Sequence, residues 1–240
     1  MPNLMAPMIP KVIHYCWFGR GKKPKLAVRC IDSWRRFFPD YEIKEWNEDN
    51  FDVNIIPYTA EAYAARKWAY VSDYARMWVL YHYGGLYFDT DVEVIRRMDD
   101  IVERGPFMGI EVNANGMSPN VNPGLGLGVT PGLSLYREIL DRYEALSFRG
   151  KDGKPLQGMI VPLTTQLLIG HGLQATGELQ HVADVWIYPQ DYFNPYRYTI
   201  QSLEITPRTR SIHWYGASWL SPWKRFLLRL KSRIRKIINT

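Results

Sequence analysis

The chain has 240 residues, of which 46% are apolar, and a formal net charge of +6. That is enough chain for one substantial core, and the composition is too apolar for a disordered polymer. The excess charge is local: Lys224, Arg225, Arg229, Lys231, Arg233, Arg235 and Lys236 hold all of it, and the rest is close to neutral. This argues against a nucleic-acid-binding fold, which would spread its basic residues over a folded face. No stretch approaches the length of a membrane span, and the first ten residues show no basic leader or unbroken apolar run, so no signal peptide is expected. Cys16 and Cys30 are too few for a disulfide scaffold, which suggests a reducing compartment.

Along the chain, Lys11 to Tyr15 reads as a short strand and Gly19 to Pro24 as a loop. Leu26 to Phe37 has helical spacing, with Ala27, Cys30, Ile31 and Trp34 on one face. Tyr41 to Trp46 alternates as a second strand, giving the strand, loop, helix, strand opening of a parallel sheet. Ala60 to Tyr83 reads as mainly helical, broken near Ser72 and stopped by Gly84 and Gly85. Phe107 to Val112 is a further strand, Asn113 to Gly126 a long loop rich in Asn, Gly and Pro, and Gly132 to Leu146 a helix. Arg149 to Gly158 is polar and reads as a surface excursion. There is no internal repeat and no interdomain linker.

The most informative stretch is Tyr83-Gly-Gly-Leu-Tyr-Phe-Asp-Thr-Asp-Val92. Read as a strand, its period of two puts Tyr87, Asp89 and Asp91 on one side. Two acids on one side repel unless something positive lies between them, and a divalent cation carrying a substrate phosphate fits that need. A bare Asp-x-Asp, by itself, reads more simply as a solvated strand end.

Three blocks change that reading. Ile9-Pro-Lys-Val-Ile-His-Tyr-Cys-Trp-Phe-Gly19 resembles the opening of glycosyltransferases that have a sugar-binding region with an Asp-x-Asp motif. Ser72-Asp-Tyr-Ala-Arg76 with Leu80-Tyr-His-Tyr-Gly-Gly-Leu-Tyr-Phe-Asp-Thr-Asp91 resembles their central block, and His213-Trp-Tyr-Gly-Ala-Ser-Trp219 their closing block. The family is the family 32-like group of bacterial capsule and lipopolysaccharide transferases and yeast-type mannosyltransferases, with the glucosylating domains of clostridial toxins as distant relatives. The resemblance implies a nucleotide-sugar donor, a divalent metal and retention of anomeric configuration. It also implies an α/β fold: a single GT-A-type domain over residues 1–222, with a mostly parallel central sheet and helices on both faces.

The residues can be assigned accordingly. Trp17 follows the first strand, where α/β folds place ligands, and could stack on a base or fill a core. The resemblance points to uracil there, hence to a UDP-hexose, with galactose or glucose first. Asp73 and Arg76 share a helical face, as a local ion pair or, by resemblance, as contacts to donor hydroxyls. Ser72 is read as a helix cap. By resemblance Asp91 is the firmer metal ligand, while Asp89 contacts the ribose and reaches the metal directly or through water. His213 can add an imidazole, which favours Mn²⁺ over Mg²⁺, or can be a core histidine. Ser218 can bind phosphate or metal, and the Trp219 indole can donate to the leaving oxygen, where developing charge would make it catalytic. Lys22, Lys23 and Lys25 read as a solvated charge run, and His14 as structural or a minor donor contact. Glu111, Asn120, Asn122 and Gln166 lie in candidate sugar-contacting regions, and none stands out as a nucleophile. The resemblance therefore favours a front-side reaction in which the leaving diphosphate helps deprotonate the acceptor.

Two other classes account for part of the pattern. A metal-dependent phosphotransferase or nuclease explains only the acids, and a non-catalytic carbohydrate-binding protein only the aromatics. The last segment, 223–240, carries Trp223, Phe226, Leu227, Leu230, Ile234, Ile237 and Ile238 at helical spacing among its cations. It is expected to lie as an amphipathic helix on an anionic membrane surface, or else to pack on the domain. On the membrane reading the acceptor is a lipid-linked glycan and the enzyme sits peripherally on the inner face of a bacterial cytoplasmic membrane.

Overall fold

In the computed structural model, which describes residues 8–112, 119–150, 153–156, 159–197 and 202–216, the chain opens with β1 (Val12–Cys16). Pro24 stands at the entry to α1 (Lys25–Phe37), and β2 (Glu42–Trp46) returns parallel to β1. α1 buries Ala27, Cys30, Ile31 and Trp34, the face that its spacing marks. The helical stretch that follows is two helices, α2 (Pro57–Ala64) and α3 (Trp68–Tyr83). The break falls at Arg66, with φ 55°, and not near Ser72. Ser72 is accommodated inside α3 because its hydroxyl bonds back to the Trp68 carbonyl at 3.1 Å, so it is not a cap. α3 ends where Gly84, at φ 64°, donates its N–H to Leu80, a left-handed position that suits glycine.

β3 (Gly85–Tyr87) is shorter than the sequence suggests, and a turn leads to β4 (Val92–Val94) and α4 (Asp99–Arg104). β5 (Phe107–Val112), β6 (Pro119–Val121) and β7 (Leu127–Val129) follow, so part of the long loop expected over 113–126 is strand. The helix expected over 132–146 is α5 (Ser134–Glu144), and α6 (Ile160–Gly170) comes next. The described part of the excursion after Arg149 is tied by a bridge between Arg149 and Pro155. The remaining elements are β8 (Gln180–Val182), β9 (Val185–Tyr188), α7 (Gln190–Phe193), β10 (Tyr196–Arg197), β11 (Ser202–Leu203) and β12 (Ser211–His213).

The main sheet has the order β2-β1-β3-β7-β5-β9-β8, with β6 paired to β5. It is mixed, which corrects the expectation of a mostly parallel sheet. β1 is parallel to β2 and β3, and β5 to β9, whereas β7 runs antiparallel between β3 and β5. The connection between β5 and β6 is too short for the crossover that parallel pairing needs, so β6 turns back along β5, and β7 continues in the direction of β6.

Helices cover both faces, as expected. Alternate residues of the strands divide between two cores: Cys16, Tyr87 and Met108 pack with α2, α3, α5 and α6, while Ile13, Tyr15, Leu86 and Phe107 pack with α1 and α7. α1 also fixes the chain just after the acidic turn. Its Trp34 indole donates to the Val92 carbonyl at 2.8 Å, and its Ser33 hydroxyl accepts from the Val94 N–H at 2.9 Å.

Candidate active site

Asp89 and Asp91 lie beyond the end of β3, in a turn closed by the Val92 N–H to Asp89 carbonyl bond at 2.9 Å. Strand alternation therefore does not bring the two acids together; the turn does. Tyr87 remains on the Asp89 side, as the period of two implies, and its hydroxyl donates to Asp89 Oδ1 at 3.1 Å.

Asp89 is held from α3. Arg76 is buried and forks onto both Asp89 oxygens at 3.3 and 3.2 Å, while also meeting Asp73 at 3.0 Å. Its Nε donates to the Ser72 carbonyl at 3.2 Å, and its guanidinium lies 4.9 Å from the Tyr87 ring centre. Arg76 thus pairs with Asp73 as their spacing indicates, and it joins a second acid thirteen residues on. Burial pushes the Asp73 carboxyl up to about 6 despite Arg76, and it raises Asp89 as well.

Asp91 is held from the other side. β12 pairs antiparallel with β4, setting His213 opposite Val92, and the Trp214 N–H donates to the Asp91 carbonyl at 2.9 Å. His213 Nε2 lies 3.2 Å from Asp91 Oδ1, and the Gly216 N–H donates to Asp91 Oδ2 at 2.8 Å. Burial alone would raise Asp91, but His213 and the Gly216 N–H hold it below the usual carboxylate range. Burial would lower His213, but Asp91, with Asp89 and Glu111 nearby, outweighs it and holds the imidazole above its ordinary value.

Ligand atoms of Asp89, Asp91 and His213 all lie within 4.8 Å of one another. Two carboxylates and an imidazole form a donor set that suits a divalent cation with borderline preference, such as Mn²⁺. His213 Nδ1 is buried with no partner among the described residues, so the ring is not fully committed to the protein. The residues present fit a metal.

The cluster opens into a cavity of about 640 Å³, lined by Trp17, Lys22, Trp68, Asp73, Arg76, Asn122 and Tyr215, among others. Trp17 sits at the end of β1, half-buried, with its indole N–H on the Gly21 carbonyl at 2.6 Å. Of the three lysines only Lys22 lines the cavity; Lys23 pairs with Glu45 at 2.5 Å and Lys25 begins α1. His14 is structural. It is buried between the Gly84 carbonyl and the Trp46 N–H at 3.0 Å each, and burial lowers it to about 4. Gln166 is exposed on α6, away from the cavity. Asn120 sits on β6 opposite Glu111, whereas Asn122 reaches the cavity wall. Ser218, Trp219 and segment 223–240 lie outside the described residues.

Three contributors are not singled out by the sequence. Gly124 donates its N–H to Asn122 Oδ1 at 2.7 Å, and a β-carbon there would fall 2.2 Å from Asp89 Oδ2. Tyr215, at φ 49°, packs its ring against His213, tilted by 42° with ring centres 4.2 Å apart, and Asn194 donates to its hydroxyl at 2.8 Å. A Pro-Gly-rich loop hints at the first, and Tyr215 lies within the closing block without being singled out there; nothing local marks Asn194.

A family model described as "Glycosyltransferase sugar-binding region containing DXD motif" matches residues 24–108 of this chain. That span includes Asp73, Arg76, Asp89 and Asp91 and leaves out Trp17 and His213. The chain is similar to inositol phosphoceramide mannosyltransferase 2 of Schizosaccharomyces pombe, with 34% identity over 104 residues, 40% of this chain and 29% of that protein. It is also similar to inositol phosphoceramide mannosyltransferase 3 of the same yeast, with 30% identity over 117 residues, 47% of this chain and 32% of that protein. The chain thus spans about a third of the length of the curated relatives it matches. Among solved structures its fold is similar to that of the PaToxG glycosyltransferase, with a TM-score of 0.52 and 19% identity over 68% of this chain and 70% of that one. The architecture is a mixed α/β domain similar to the GT-A glycosyltransferase fold. Among the described residues, no helix is long and apolar enough to cross a membrane.

Proposed function

We propose that the chain is a metal-dependent glycosyltransferase. It moves a hexose from a nucleotide sugar, UDP-galactose or UDP-glucose first, to a hydroxyl of a capsular or lipopolysaccharide glycan, with retention. The observation that carries the reading is the convergence of Asp89, Asp91 and His213 at the wall of a cavity also lined by Trp17 and Asp73. A phosphoesterase needs the cluster alone. A nucleotide sugar needs the cluster, a flat face for its base and buried acceptors for its hydroxyls.

Asp89, Asp91 and His213 would hold the cation, which when bound supplies positive charge to the departing diphosphate. Trp17 offers its ring to the base from the end of β1. Asp73 can accept from two sugar hydroxyls, and Arg76 fixes its orientation. Arg76 has its guanidinium nitrogens engaged with Ser72, Asp73 and Asp89, so its part is to position those acids. Ser218 and Trp219 are assigned to the diphosphate and the leaving oxygen, the place where an N–H donor stabilises developing charge. Among the described residues no carboxylate stands free at the cavity as a nucleophile, which favours the front-side route for retention.

The acceptor is lipid-linked in this reading. The yeast relatives are named for transfer to a lipid, and the basic segment 223–240 would hold the enzyme on an anionic cytoplasmic membrane surface. Their names also place a mannosyl donor in any screen. The deciding experiment is a panel of UDP- and GDP-sugars with Mn²⁺, monitored for donor hydrolysis. Cleavage of one UDP-hexose, abolished by chelation, is the expected result. Preference for a GDP-sugar overturns the donor assignment, and cleavage of simple phosphodiesters without sugar release overturns the enzyme class.

A further inference from the structure

The acid–histidine cluster is assembled from two segments far apart in the chain, and one half-buried side chain touches the supports of both. Glu111, on β5, accepts from Asn122 Nδ2 at 2.7 Å and from the Tyr215 hydroxyl at 3.1 Å, both on Oε2. The Asn122 side leads to Asp89. Asn122 Oδ1 takes the Gly124 N–H at 2.7 Å, and the Gly124 carbonyl takes the Asp89 N–H at 3.4 Å. The Tyr215 side leads to His213 and Asp91. The Tyr215 ring lies against the His213 ring, centres 4.2 Å apart, and the next residue, Gly216, donates to Asp91 at 2.8 Å. Tyr215 reaches this place only by adopting φ 49°, a conformation a tyrosine rarely takes without compensation.

We propose that Glu111 is a positioning residue for the metal cluster, seating His213 through Tyr215 and the Asp89 turn through Asn122. It does not line the cavity and makes no hydrogen bond to Asp89, Asp91 or His213; its charge adds weakly to the field at His213, but its geometric hold on the cluster runs through these neighbours. Groups that orient metal ligands from behind commonly change metal affinity by about 10- to 100-fold when removed. The inference rests on the metal reading above and adds to it the part that sets its geometry.

The test is Mn²⁺ binding in the presence of UDP, by calorimetry and by the Mn²⁺ electron paramagnetic resonance signal. The full chain is compared with Glu111→Leu, Glu111→Gln and Tyr215→Phe. Glu111→Leu and Tyr215→Phe should weaken Mn²⁺ by about tenfold, with the metal-free melting temperature moved by no more than about 2 °C. Glu111→Gln keeps an oxygen acceptor for both donors and should recover most of the affinity. Wild-type affinity in both Glu111→Leu and Tyr215→Phe overturns the positioning role while leaving the metal site standing. If Glu111→Gln is as weak as Glu111→Leu, charge and not geometry is at work, and the proposal falls. No Mn²⁺ binding by the wild-type chain overturns the metal reading itself, and this proposal with it.

Discussion

The two walls of the cluster are built in opposite ways. The Asp89 wall is made early in the chain, by α3, β3 and the turn that follows, and is a tight ionic knot: Asp73, Arg76 and Asp89 with the Tyr87 hydroxyl. The Asp91 wall is made late, by a strand that arrives more than a hundred residues later and contributes an imidazole and backbone N–H groups. The electrostatic result differs accordingly. Burial wins at Asp89 and raises it, while His213 and an N–H win at Asp91 and lower it. Two acids two residues apart are thus prepared for different work: one is ready to give charge to a cation, and the other is neutralised in part by an arginine.

The sharpest way to break that contrast is Asp91→Ala. It removes the carboxylate that the late wall is arranged around. Transfer or donor hydrolysis should fall at least about 10³-fold, because a bound cation's stabilisation of a leaving phosphate is worth several kcal/mol. Mn²⁺-dependent UDP binding, measured by calorimetry, should be lost in parallel. Wild-type rates in this variant would remove Asp91 from the site.

The early wall should fail differently, in the fold as well as the site. Arg76→Leu leaves two half-buried carboxylates without their buried cation, and the loss of one partner from a buried ion pair costs up to about 3–5 kcal/mol. Urea unfolding at neutral pH should show a loss of that size. Asp91→Ala, which leaves a histidine that can shed its proton, should cost far less. Equal destabilisation by the two would erase the distinction between the walls.

What could be read from the sequence follows the same division. The early wall is contiguous: Asp73 and Arg76 share a helical turn, and Gly84-Gly85 announces the end of α3, so periodicity and a short motif expose it. Even so, the strand reading of Asp89 and Asp91 reaches the right pairing by the wrong route. β3 stops at Tyr87 because the chain must turn to reach β4, where Trp34 and Ser33 of α1 receive it. The late wall is visible only by resemblance, through His213. Its supports, Glu111, Asn194 and Tyr215, are single polar residues whose meaning depends on which strands meet. The sheet was misjudged for the same reason: pairing direction is set by connection length and by which edge is open, and neither is written in local alternation.

Gly124 offers a gentler probe of the early wall. A methyl added there would lie 2.2 Å from Asp89 Oδ2, so the carboxylate or the loop must move. Gly124→Ala should lower Mn²⁺ affinity and donor hydrolysis by about 10- to 100-fold, with a stability loss of about 1–3 kcal/mol from overpacking. Unchanged Mn²⁺ affinity in a folded variant would mean that Asp89 tolerates displacement and leaves the cation to Asp91 and His213.

The smallest effect is expected from His14, which lies behind the early wall and measures how far its influence extends. The imidazole is neutral in the folded chain, lowered to about 4 by burial, and it bridges Trp46 and Gly84. In the unfolded chain it titrates at its ordinary 6.5. Between these values the unfolded chain binds a proton that the folded chain does not, so this group removes stability as pH falls through 6.5 and finishes near 4. The full penalty, present only below that window, is about 3 kcal/mol. His14→Gln replaces the ring with a neutral amide that keeps a donor and an acceptor, and it should cost about 1–2 kcal/mol near pH 7.5 through poorer hydrogen bonds. That cost should shrink as the pH is lowered and reverse between about pH 6 and about pH 5, because only the wild-type chain carries the histidine penalty and all other titrating groups are common to both. Urea unfolding of the two proteins across this range reads the difference directly. A gap that stays constant would show that His14 is protonated without loss in the folded chain, and that its place between Trp46 and Gly84 can carry a charge.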